Sequence, residues 1–122
     1  MDIKTVTAGQ FIDIAKTVCD ENPKNKNPTK NGSCVYVGAN GSACLISFIL
    51  QKHFGVKPGY LAGYDGATNN DANHVLENLG AEQDVCRVAK DLQLAADTTF
   101  TWGEVFDDEV VKEIVDEWSR VS

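Results

Sequence analysis

Two helix-start signals stand near the ends of the chain and constrain it more than any other feature. Thr7-Ala8-Gly9-Gln10 and Thr101-Trp102-Gly103-Glu104 each place a hydroxyl at a candidate N-cap and an amide or carboxylate three residues on. Such a pair satisfies two free backbone donors reciprocally. After the first signal, Phe11, Ile14, Ala15 and Val18 recur at three- and four-residue intervals. After the second, Trp102, Val105, Phe106, Val110, Ile114, Val115 and Trp118 do the same, predicting one long final helix with acids on its other faces. Both ends therefore commit to amphipathic helices whose apolar stripes need a common core.

Between them the sequence is more punctuated. Residues 21–32 read ENPKNKNPTKNG, where prolines, asparagines and a glycine predict the longest loop of the chain. Ser33 to Val37 (SCVYV) is β-branched and aromatic, and Gly38-Ala39-Asn40-Gly41 supplies turn chemistry, so a strand and turn are expected. The run ACLISFIL fits either a returning strand or a buried helix. Leu45, Ile46, Ile49, Leu50 and Phe54 favour a helix stopped by Gly55, with Cys44 in its first turn and a second short strand near Ser42 to Cys44. Residues 57–66 hold three glycines and a proline, leaving room for one helical turn. Asn70 or Asp71 can cap a short helix ended by Gly80, and a longer helix is expected from Glu82 to Ala96. The expected fold is α+β: a mainly helical single domain over residues 1–122, with four or five helices around a short β-hairpin or strand pair.

At 122 residues, 43% apolar and 24% charged, the chain can bury a core without a disulfide or metal. Its net charge of −7 is segregated. Residues 1–81 carry equal numbers of acids and bases, whereas residues 82–122 carry eleven acids and four bases. Binding to a phosphate backbone draws on cations, so nucleic acid is a poor partner. No apolar run approaches the roughly 20 residues of a membrane span. The N-terminus lacks a basic leader with an apolar run after it, which points to a cytosol.

Cys19, Cys34, Cys44 and Cys86 do not show the close spacing of a zinc knuckle, so neither a metal nor a cofactor is expected. In a reducing compartment they are expected as free thiols. A pairing of Cys34 with Cys44 stays open.

The ordered set Cys34-Val35-Tyr36-Val37, Gly41-Ser42-Ala43-Cys44-Leu45-Ile46, Leu50, Phe54-Gly55-Val56, Asn73 to Leu79-Gly80, and Asp97-Thr98-Thr99 leading to Trp102 resembles small proteins encoded by bacteriophages of actinobacteria. The resemblance spans roughly residues 34–106. It implies a phage origin and an accessory role in the host cytoplasm, and brings no established activity with it.

Three functional readings compete. A thiol at a helix N-terminus is favoured as thiolate, so Cys44 is a candidate nucleophile. His53, nine residues along the same helix, points to the opposite side at about 100° per residue, leaving His74 as the candidate base. The competing reading is that Cys44 fills a core position. Tyr60 and Tyr64, four apart, either stack on a ligand or anchor their loop; the Gly55 to Gly66 segment is the weak candidate for sequestering a signal nucleotide. The third reading takes Asp107, Asp108, Glu109, Glu113, Asp116 and Glu117 as an acidic surface for a host protein. This last, non-enzymatic reading is the leading expectation. The alternatives are a cysteine-dependent hydrolase or transferase using Cys44 and His74, and the sequestering protein.

Overall fold

The structure, a computed structural model, describes residues 2–30, 33–34, 36–38, 42–65 and 71–119. Its helices are α1 (Ala8–Glu21), α2 (Leu45–Phe54), α3 (Pro58–Ala62), α4 (Ala72–Asn78), α5 (Gln83–Thr98), a 3-10 helix (Trp102–Asp107) and α6 (Glu109–Ser119). The Thr7 hydroxyl accepts from Gln10 N–H while Gln10 Oε1 accepts from Thr7 N–H, and at the second signal the Thr101 N–H and hydroxyl both donate to Glu104 Oε1 (3.0 and 3.3 Å) while Glu104 N–H donates to the Thr101 backbone oxygen (3.1 Å). Gly55 and Gly80 end α2 and α4 with positive φ, 69° and 87°, a conformation that side chains with a Cβ disfavour.

α5 is the centre of the molecule and lies against α1, α2, α4, the 3-10 helix and α6. Its Val85, Val88, Ala89 and Leu92 meet Phe11, Ala15 and Val18 of α1 and Leu45, Ile46, Ile49 and Leu50 of α2 in one core cluster. Trp102, almost fully buried, closes that core with its ring 5.3 Å from Phe48, edge to face. Burying side chains of this kind contributes roughly 1.5–3 kcal/mol each.

The fold is all-α, which corrects the α+β expectation. Among the described residues β pairing amounts to a two-residue ladder, Thr29–Lys30 with Ser33–Cys34, and one isolated bridge between Val37 and Ala43. Neither forms a sheet layer. The reason lies in where the backbone donors of the SCVYV segment go. Tyr36 N–H and Val37 N–H both donate to the Asp65 carboxylate, at 2.7 and 3.2 Å. A side chain 28 residues and more away takes the bonds that a neighbouring strand would have taken. The Asn40-Gly41 turn lies outside the described residues, as do Asn70 and Gly66.

The expected long final helix is also divided. Asp108 adopts an extended conformation (ψ 137°) that ends the 3-10 helix, and its Oδ1 accepts from Val110 and Val111 N–H, starting α6 anew. No helix among the described residues is long and apolar enough to cross a membrane.

Candidate functional site

The start of α2 is where sequence chemistry and tertiary structure meet. Cys44 is its N-cap residue and gives the helix no side-chain cap. The first helical donors are satisfied from elsewhere: Leu45 N–H donates to Asn27 Oδ1 (2.8 Å) and Ile46 N–H to Gln93 Oε1 (3.3 Å). Asn27, almost fully buried, also accepts from Trp102 Nε1 (2.9 Å), and its Nδ2 donates to Asp97 Oδ1 (2.6 Å). One loop asparagine thus fastens α2, the end of α5 and the 3-10 helix together. The loop that carries it is pinned as well: Trp102 N–H donates to Asn25 O (2.7 Å) and Gly103 N–H to Pro23 O (3.0 Å). A Cβ on Gly103 would come within 2.9 Å of that Pro23 oxygen.

This arrangement decides the state of Cys44. Its sulfur is fully buried and free of any disulfide, so no bond joins it to Cys34. Burial pushes the thiol up to about 12 from its ordinary 9.0, outweighing hydrogen bonds from the Ser47 backbone and the Gln93 side chain, while the Asp97 and Asp65 charges push the same way as burial. Two of the helix donors that would favour a thiolate are already spent on Asn27 and Gln93. Cys19 is likewise pushed up to about 12, by burial first and the Asp20 charge second, and Cys86 is raised by burial and Glu77. Tyr36, beside Cys44, has its hydroxyl raised by burial and then by Cys44, Asp71, Asp97 and Asp65.

His74 sits half-buried on α4, with its backbone N–H bonded to Asp71 O, and is not among the groups that act on the Cys44 sulfur. The structure therefore does not bring the candidate nucleophile and base into one hydrogen-bonded pair. No three His, Cys, Asp or Glu side chains converge on a possible metal position among the described residues.

Tyr64 anchors its segment, packing edge-on to buried Tyr36 at 6.4 Å and accepting from Asn78 Nδ2 at 2.8 Å. Tyr60 stacks edge-on against Tyr64. Around Gly59 a Cβ would meet nothing within 4 Å, so that glycine does not form a backbone cradle.

The acidic residues behave differently. Asp107, Glu109, Glu113, Asp116 and Glu117 are exposed, and Asp108 is half-buried as the α6 cap. Glu109, Glu113, Asp116 and Glu117 stand at i, i+4, i+7 and i+8, one stripe along α6, opposite buried Val111 and Ile114. Val110, expected on the buried face, is 50% exposed. It joins Leu94 in a groove of about 410 Å³ between α5 and α6, lined also by Asp91, Ala95, Thr98 and Asp108. Leu94 is 52% exposed and lies off the apolar stripe of α5; that displacement from the helical period is the signal by which the sequence could have revealed the groove. Asn27 had no such signal, since its partners lie 18, 70 and 75 residues away.

No protein-family model, curated protein or solved structure matches the chain.

Proposed function

We propose that this chain is a bacteriophage accessory protein that binds a protein of its host in the host cytoplasm, through the acidic face of α6, and does so without catalysing a reaction. The observation that carries the reading is the exposed stripe of Glu109, Glu113, Asp116 and Glu117 on a helix whose other face is seated in the core. A helix so seated holds its charges in a fixed array, which steers and orients a basic partner. The same balance of eleven acids to four bases over residues 82–122 disfavours a nucleic-acid backbone. The phage origin comes from the resemblance of residues 34–106. Against the thiol-based alternative stand the raised Cys44 pKa and the burial of its sulfur.

The test is affinity capture from actinobacterial host lysate with the wild-type chain and with the triple variant E109K/E113K/E117K. Asp108 is left intact because its carboxylate caps α6. Loss of a specifically captured host protein with helicity preserved is the expected outcome. Undiminished capture by the variant contradicts the proposal.

A further inference from the structure

We infer that the groove between α5 and the start of α6 receives an apolar side chain from a short cationic segment of the partner. The inference rests on the binding reading above and assigns it a seat and a ligand chemistry. The groove's floor is mostly apolar, and Leu94 and Val110, each about half exposed, stand open to water within it. Phe100, 79% exposed, comes two residues after α5, at the end of the helix whose last turn lines the groove. Leu94 and Val110 thus place two large exposed apolar side chains in one groove, where burial in the core is the usual choice.

The rim identifies the occupant. Asp91 and Asp108 flank the apolar floor, and the Glu109 to Glu117 stripe begins beside Val110. A second copy of this chain docking by a two-fold contact would bring acids against acids, in a segment with eleven acids and four bases. A lysine- or arginine-flanked leucine or phenylalanine meets both requirements: its apolar side chain covers Leu94 and Val110, and its charges face the carboxylates. The groove has room for one such side chain, which makes it an anchor within a wider, charge-steered contact.

The experiment is an NMR titration of the full isotope-labelled chain with a short synthetic peptide of leucines and lysines, beside a control peptide carrying glutamates in place of lysines. Amide shifts centred on Asp91, Leu94, Thr98 and Val110 with the lysine peptide alone are expected. Affinity should fall about tenfold in Leu94→Ser, where an anchor contact is lost from an exposed site. The inference is overturned by shifts confined to the Glu109–Glu117 stripe, by equal binding of the glutamate peptide, by no binding at all, or by a dimer in sedimentation that Val110→Ser abolishes. Stripe-only shifts leave the acidic-face proposal standing. Groove shifts together with host capture that ignores E109K/E113K/E117K separate the two the other way, removing the acidic face and keeping the groove.

Discussion

The starts of α2 and α6 are both helix N-termini dressed with polar side chains, and they serve opposite ends. At α2 the cap residue contributes no side-chain bond, and the donors are satisfied by Asn27 and Gln93 from other parts of the chain. Cys44 is fully buried there, and its sulfur is held protonated. At α6 the cap is local: Asp108 serves donors two and three residues ahead, so no other element needs to cover the helix. Its outer face stays in water with its charges. Long-range capping consumes a helix start as structure, whereas local capping leaves the adjoining face available for a partner.

The sharpest way to separate the two regions is alkaline pH. The folded chain keeps protons on Cys44 and Cys19 up to about 12, while the unfolded chain releases them near the ordinary 9.0. The native state therefore binds more protons across that window. Its stability is unaffected below pH 9 and falls as pH rises from 9 towards 12, by about 1 kcal/mol per pH unit for each thiol. Urea midpoints measured from pH 7 to 11 should decline only above about 9. A flat profile would mean that Cys44 is open to solvent like the acidic face.

Next in size is Asn27→Ala. It strands the Leu45 and Trp102 donors in the core and should cost about 3 kcal/mol in urea unfolding. A loss near that of an exposed asparagine would remove its claim to be the tie between three elements. Gly103→Ala, which drives a Cβ towards the Pro23 oxygen, should cost about 1–3 kcal/mol, whereas Gly59→Ala, with open space around it inside α3, should be neutral or raise stability by about 0.5 kcal/mol. Thr7→Ala removes one hydroxyl of a local cap and should cost about 1 kcal/mol. The smallest effect belongs to the acidic stripe: E109K/E113K/E117K should change unfolding by no more than about 0.5 kcal/mol, since these side chains contribute nothing to the core.

Legibility in the sequence divides along the same line. Local signals were legible: the Thr7 box, the Thr101 to Glu104 pairing, the Gly55 and Gly80 stops and the α5 stripe stand where periodicity and capping chemistry put them, and Asp71, one of two candidate caps, takes the N-cap position of α4 without a side-chain cap bond. Cys44 missed the first turn of α2 by one residue and became its cap. The errors come from bonds that cross the chain. Asp65 took the donors of Tyr36 and Val37, and β pairing among the described residues stays at a two-residue ladder and one bridge. Asn27, one asparagine among several in a loop, became a buried tie with three side-chain hydrogen bonds through partners that no local pattern reveals. The acidic stripe was legible because it depends only on helical spacing. The groove beside it was half legible, through Leu94 lying off its helix's apolar period, and Val110 was misplaced because Asp108 breaks the helix and resets the phase of α6.

The contrast between the two helix starts stands or falls with Cys44 being a core side chain at a helix start whose donors are taken by Asn27 and Gln93. In a chain carrying Cys19→Ala, Cys34→Ala and Cys86→Ala, the rate of Cys44 alkylation at neutral pH should be negligible in the native state and rise with urea in step with that variant's own unfolding curve. Rapid alkylation of the folded chain, with a midpoint below the thiol's ordinary 9.0, would contradict it and return Cys44 to the reactive groups of the molecule.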